Sequence, residues 1–385
     1  MTSGHHIHHG NISLHRLLHA FETFVRKNAV LCIAFAAALI TSIVIPPDSQ
    51  YISYFDFGTL TCLFCTLAVI CALKNIRFFT ILARKTVTLT GNLRSATICL
   101  VYITFIGSML IANDMALLTF LPLGYFVLHC TSNERYMARL FVLQNIAANL
   151  GGMLTPFGNP QNLYLYSYFN IQTPEFLGIM FPPFVLAVIM ITLCCLLFPK
   201  LSLNLSEHEI SKLPKRRTAY YLVLFAISII IVFRVLPYYI GLPIVLLGIL
   251  ISDASALKKV DYGLLFTFVF FFIFAGNMAR IGAVNALISG LLAKNTLIFS
   301  VLSCQVISNV PSAVLLSHFT SDYRSLLLGV NIGGTGTLIA SLASLITFRS
   351  YLSLGNGGSK KFIVVFSAFN FTFLVILTLF CYILI

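Results

Sequence analysis

Apolar residues run along this chain in stretches of roughly 17 to 25, enough for a helix to cross a ~30 Å hydrocarbon core. They recur from about residue 29 to the last residue, separated by short polar loops. The pattern predicts spans at about 29–46, 56–73, 175–198, 218–236 and 241–257, another opening at Asp261, and a last one after Lys361. Between residues 76 and 94 phenylalanines and leucines alternate with bases at helical spacing, which predicts an amphipathic helix lying on the membrane interface.

Two kinds of interruption break the oily stretches. The apolar run 97–128 is divided by Ala112-Asn113-Asp114 into arms of about 15 residues, each rising only ~22 Å as helix, which predicts a re-entrant helical hairpin turning at Asn113 and Asp114. The second kind is "NLGGMLTPFGNPQN" (149–162), whose glycines and prolines predict two half-helices joined by an unwound link, a broken helix over about 136–169. Such backbone persists at membrane depth only where it is buried in protein or lines a watery cavity.

Both interruptions recur. "SNVPS" (308–312) divides a second hairpin, about 296–319, and "NIGGTGTLIASLAS" (331–344) lies over 149–162 at a constant offset of 182, inside a second broken helix at about 325–353. "DFGTL" (56–60) is echoed by "DYGLL" (261–265). The expected fold is an all-α polytopic membrane protein with about 11 spans, including two broken helices, plus the two hairpins. Its units are a His-rich tail (1–28), a first repeat (29–199), a basic loop (200–217), a connecting span (218–240) and a second repeat (241–385).

Charge adds the sidedness. The formal +13 sits in short loops, among them Arg26 and Lys27, the group Lys74 to Arg94, Lys212 to Arg217, Lys258 and Lys259, and Lys360 and Lys361. Dispersed in this way it marks topology and excludes a basic nucleic-acid-binding domain. Putting these loops inside and the base-free loops 46–56 and 170–175 outside gives a cytoplasmic-membrane protein with its N-terminus inside and its C-terminus outside. Span counting then makes the two repeats inverted.

The polar residues at the breaks carry the candidate chemistry. An unwound link offers carbonyls that coordinate a cation together with Asn, Ser and Thr oxygens, and half-helix N-termini favour an anion. Interrupted helices at corresponding places in inverted repeats are the sequence mark of a secondary transporter's site. Gly151, Gly152, Pro156, Pro160, Gly333 and Gly334 are assigned to unwinding, and Asp114, the one acid read near mid-membrane, to a cavity, a cation or a proton path. The ten cysteines read as small apolar residues and the N-terminal histidines as a solvated tail, so no cofactor or metal is expected beyond a coupling Na⁺ or H⁺. No GxxxxGK[ST], HExxH or GxSxG motif is present, and an aspartyl protease would need a second mid-membrane acid; an enzyme is disfavoured.

At "ANDMALLTFLP", "GGMLTPFGNPQN", "SNVPS" and "GGTGTLIASLAS" the sequence resembles the ion transporter superfamily of citrate and dicarboxylate transporters, divalent anion:sodium symporters, arsenite permeases and some sodium/proton antiporters. The resemblance implies a homodimer with scaffold and transport domains and elevator-like movement. It implies one half-site at Asn113, Asp114, Thr155, Gly158, Asn159 and Asn162, and another at Ser308, Asn309, Ser312, Thr337, Ser341 and Ser344. The expected function is secondary transport of a small anion, foremost a carboxylate such as citrate or a dicarboxylate, coupled to Na⁺ or H⁺. Arsenite or antimonite efflux, Na⁺/H⁺ exchange and an ion channel are the alternatives. The tips read Ala112-Asn113-Asp114 and Ser308-Asn309-Val310 where the symporters usually have Ser-Asn-Thr, and the second link lacks the prolines of the first.

Overall fold

A computed structural model describes residues 28–88, 90–203, 213–354 and 358–385, together with Glu22 and Val25. The His-rich tail and the centre of the basic loop lie outside the described residues. The described chain holds seventeen α-helices and no strand beyond one isolated bridge, Asn92 to Ser202.

In chain order, α1 (Ala29–Val44) and α2 (Phe57–Asn75) are followed by the short α3 (Phe78–Val87). A hairpin, α4 (Leu93–Ile111) and α5 (Asn113–Cys130), leads to a broken helix, α6 (Met137–Gly151) and α7 (Pro160–Tyr168). Then come α8 (Thr173–Leu196), α9 (Lys215–Val232), α10 (Tyr238–Leu257) and α11 (Tyr262–Arg280). The short α12 (Gly282–Lys294) precedes the second hairpin, α13 (Thr296–Ile307) and α14 (Asn309–Leu316), and the second broken helix, α15 (Tyr323–Ile332) and α16 (Leu342–Leu354). Finally, α17 spans Ser359–Leu384. Among the described residues seven uninterrupted helices, two broken ones and two hairpins make up the all-α polytopic architecture anticipated, and six helices are each long and apolar enough to cross a membrane.

The first hairpin is longer than its apolar run implied. Its arms have 19 and 18 residues, so the first arm is by itself long and apolar enough to span. Extra turns come from Asn92, whose side chain accepts from Ser95 N at 3.0 Å and starts the helix before the apolar run begins. The second hairpin starts the same way, on Asn295 and Ile298 N at 2.8 Å. Two further Asx caps open α2 and α11, where Asp56 accepts from Thr59 N and Asp261 from Leu264 N, each at 2.9 Å. The duplication seen in sequence is therefore a duplication of helix starts.

Broken helix α6–α7 is the centre of the molecule. Of the fifteen residues of α6 only Arg139 is not buried. Around it pack α4, α5, α8, α16 and α17, while α7 is held by α2, α14 and α15. The outer faces of α1, α8, α10 and α17 expose apolar side chains such as Phe35, Leu193, Ile251 and Val375, the surface a lipid bilayer covers.

Loop contacts fall into two groups at alternate ends of the crossings. Asp48 pairs with Arg280 at 2.7 Å, Arg234 reaches Tyr166 O and Asn170, and Tyr323 donates to Glu175 at 2.7 Å. In the other group Asn75 donates to Asp253 at 2.7 Å and accepts from Lys259 at 2.6 Å, while Leu93 N donates to Leu201 O at 2.8 Å.

Candidate functional site

The hairpin tips share one backbone conformation. Ala112 has φ 63° and ψ 152°, and Ser308 has φ 75° and ψ 159°. Non-glycine residues with positive φ carry strain of about 1–3 kcal/mol, tolerated where the surroundings fix them. In both tips the next residue is an asparagine that turns its side-chain oxygen onto the following N–H: Asn113 Oδ1 accepts from Asp114 N and Asn309 Oδ1 from Val310 N, each at 2.9 Å.

Each tip meets the link of its own repeat through a threonine. Thr155 Oγ1 donates to Met109 O at 2.9 Å, and Thr337 Oγ1 donates to Gln305 O at 3.1 Å. Both acceptors lie three residues before a tip, and the donors are offset by 182, so one bond has been duplicated.

The links themselves are held differently. In the first, a single-turn 3₁₀ segment (Gly152–Leu154) runs into Thr155–Asn159, and Asn162 Nδ2 is shared among Gly152 O, Met153 O and Thr155 O at 3.2–3.3 Å. In the second, the clamp comes from hairpin arm α13: Gln305 Nε2 donates to Gly333 O at 2.9 Å and Thr335 O at 3.1 Å, and its Oε1 accepts from Thr337 N at 2.8 Å. Gly336, at φ 114°, is where this link needs glycine; a methyl group there would sit 2.2 Å from Gln305 Oε1. The assignment of unwinding to Pro160 and Gly151 needs correction. Pro160 is the first residue of α7, where its missing N–H is harmless, and Gly151 ends α6 in helical conformation.

Bonds between repeats merge the two halves. Asn331 Nδ2 donates to Asn162 Oδ1 at 2.6 Å and Asn145 Nδ2 to Ser344 Oγ at 3.3 Å, while within the first repeat Asn113 Nδ2 donates to Asn149 Oδ1 at 3.2 Å. Ser344 in turn shares a 2.9 Å bond with Ser341, and Thr347 donates to Asn145 Oδ1 at 3.3 Å. A methyl group built on Gly334 would lie 3.1 Å from Asn309 Nδ2 and 3.7 Å from Asn149 Oδ1, so Gly334 is flanked by the second tip and by the first repeat's asparagine. Asn309 N also donates to Ala340 O at 2.9 Å.

Of the expected residues, Ser312 stands apart: its hydroxyl faces Ser303 on the other arm of its own hairpin, at 2.8 Å. Gly158 is buried in the first link, where a methyl group would strike Gly152 O at 2.4 Å. Asn159 donates to Asn149 O at 3.2 Å and keeps a buried Oδ1 without a partner, as does Asn331. Asp114 Oδ1 is likewise buried and unpartnered. Asn145, Asn149, Gln305, Asn331 and Thr347 belong to the network and were not among the expected site residues. A signal was present: "QNIAAN" (144–149) puts Asn145 and Asn149 one helical turn apart in an apolar stretch.

Among the described residues every buried polar side chain is a hydroxyl or an amide, and none is Lys, Arg, Asp or Glu. Two hairpin tips and two helix breaks thus enclose a strongly dipolar centre inside an apolar helical protein, with Asp114 of the first tip as its one acid and, among the described residues, no buried basic side chain. This is the architecture of a membrane transport protein built on discontinuous helices.

The chain belongs to the citrate transporter family, whose model, described as "Citrate transporter", matches residues 17–322. It is 33% identical over 331 residues to an uncharacterized transporter of Methanocaldococcus jannaschii, covering 85% of this chain and 89% of that one. It is 29% identical to the inner membrane protein YbiR of Escherichia coli (strain K12), over 71% of this chain and 74% of that one. A silicon efflux transporter of Oryza sativa subsp. japonica is 30% identical over 169 residues, 43% of this chain and 34% of its own length. The chain is a membrane transporter of the ion transporter superfamily, and these relationships mark it as a transporter rather than an enzyme.

Proposed function

We propose that this protein is a secondary active transporter that moves a small anion, a carboxylate such as citrate or a dicarboxylate, driven by Na⁺ or H⁺. The observation that carries the reading is the convergence of two hairpin tips and two helix breaks on one polar centre, with the same threonine-to-carbonyl bond in each half. In this reading the oxygens of Asn113, Thr155, Asn159, Asn309 and Thr337, with link carbonyls, hold the cation. Half-helix N–H groups hold the anion.

The two hairpins and two broken helices move together as an elevator against α1, α2 and α8 to α11. The protein works as a homodimer in the cytoplasmic membrane, N-terminus inside and C-terminus outside. Reconstituted protein takes up citrate or a dicarboxylate when a Na⁺ or H⁺ gradient is imposed; inactivity across a broad carboxylate panel sinks this substrate class. Asn113→Ala and Asn309→Ala abolish the cation-dependent rise in thermal stability that substrate gives the wild type. Both variants keeping the full rise would mean that the tips are not the site.

A second reading is favoured by the absence, among the described residues, of any buried basic side chain from the centre and by the similarity to a silicon efflux transporter. Hydroxyl and amide groups suit a small neutral oxyacid, arsenous or antimonous acid included, and the flux is then efflux. Restored arsenite resistance in a sensitive host, with no carboxylate uptake in liposomes, separates this reading from the first.

A further inference from the structure

A second polar cavity lies away from the hairpin tips. It occupies about 230 Å³ between the end of α2, the short helix α3 and hairpin arm α5. Lys74 enters it from α2, Thr80 and Arg84 from α3, and Thr119 and Phe126 from α5. The Arg84 guanidinium stands 5.5 Å from the centre of the Phe126 ring, which fixes its direction toward the cavity. Among the described residues no acid lines the cavity, and neither Lys74 nor Arg84 makes an ion pair. Two unneutralised cations beside hydroxyl groups call for an anion.

The remaining wall decides which anion. Leu118, Pro122 and Leu123 complete the lining, and Leu118 is 47% exposed. A hydrated dicarboxylate gains nothing from such a wall, whereas an acyl chain does. The cavity also lies at headgroup level: α2 ends at Asn75, the first hairpin begins at Leu93, and α3 lies between them at the ends of the crossing helices. Basic pockets at this level between helices are where anionic lipid headgroups bind.

We propose that this cavity binds the phosphate of an anionic phospholipid, with an acyl chain running along Leu118. One wall belongs to α2 and α3 and the other to the hairpin, so a bound lipid ties the hairpin to its neighbours and the lipid composition sets the ease of its movement. Each cation contributes about fivefold in affinity, so losing both weakens binding ~30-fold.

The test uses the purified full chain in detergent, with thermal stability followed on adding phosphatidylglycerol or phosphatidylcholine, and native mass spectrometry counting retained lipid. Phosphatidylglycerol raises the melting temperature and phosphatidylcholine does not. The Lys74→Ala/Arg84→Ala double variant keeps the phosphatidylcholine baseline and needs ~30-fold more phosphatidylglycerol for the same rise. Lys361→Ala, a basic residue that does not line the cavity, behaves as wild type. An undiminished response in the double variant, or an equal loss in Lys361→Ala, overturns the site in favour of diffuse surface attraction. If inorganic phosphate or citrate at millimolar concentration reproduces the rise, the pocket is a soluble-anion site and the lipid assignment fails. Should the double variant not fold, the charge-preserving pair Lys74→Arg and Arg84→Lys must retain one phosphatidylglycerol per chain in the mass spectrum, and their failure to do so also overturns the site.

Discussion

Gln305 offers the sharpest test of how the second link is held. Its equivalent before the first tip is Met109, so Gln305→Met gives the second repeat the side chain the first already has, with little change in volume. What disappears is polar: the donors to Gly333 O and Thr335 O and the acceptor for Thr337 N. Each such bond contributes about 1 kcal/mol net; with Gln305 only half-buried, the three together hold the link by about 2–3 kcal/mol. Opening of the link then becomes ~30- to 150-fold more frequent.

Cys304 reports that opening directly. Its side chain is fully buried, and a methyl group on Gly333 would lie 2.8 Å from its sulfur, so the link covers it. Alkylation of native protein by a small maleimide, read by mass spectrometry, should accelerate at Cys304 by the same ~30- to 150-fold when opening is fast and reversible. Cys195, fully buried on α8, is the internal control and should not change. Equal acceleration at both cysteines would show that Gln305 supports the whole fold instead of the link. No acceleration at either would show that the three bonds contribute nothing, and the clamp would have to be abandoned.

Other expectations are briefer. Gly152→Ala should cost about 1–3 kcal/mol, because its methyl group meets Asn159 Oδ1 at 2.4 Å and Gly158 O at 2.9 Å; Gly334→Ala, with nothing nearer than 3.1 Å, should cost less, and paired melting curves check the order. The Arg280 hydrogen bond holds the Asp48 carboxyl below its ordinary value of 3.8, so whatever stability the pair gives is present above that value and lost as pH falls through the lower folded value. The difference in melting temperature between wild type and Arg280→Gln should therefore be flat from pH 5 to 8 and vanish only below about pH 3.8; a difference that fades at neutral pH would contradict this. Asp114→Asn should leave downhill exchange intact while removing the response to a pH gradient, measured with a pH-sensitive dye in proteoliposomes; an unchanged response would exclude Asp114 from the proton path.

The fold was legible because a membrane leaves few choices. Apolar runs mark the helices, and breakers inside them stand out against lipid. Much of the candidate site was readable for the same reason, since Asn113, Thr155, Asn309 and Thr337 all sit at visible interruptions. What escaped were polar residues inside helices. Asn145 and Gln305 have ordinary helical neighbours in sequence and Asn331 opens the second break, but their partners lie on other elements: Ser344 for Asn145, Asn162 for Asn331, the second link for Gln305. The arm lengths of the first hairpin escaped because Asn92 starts the helix outside the apolar run.

The inequality of the two links follows from those hidden partners. The first link is clamped by Asn162, on the half-helix that follows it, so it is rigid within its own broken helix. At tip level it is joined to its hairpin by Thr155 to Met109 and Asn113 to Asn149. The second link has no proline and takes its stiffness from Gln305 on the opposing hairpin, with Ser308 Oγ and Asn309 N both donating to Ala340 O. Separating the second hairpin from its broken helix therefore unclamps the link, whereas separating the first leaves its link intact. Sequence-matched repeats with different clamps need not part from their links with equal ease.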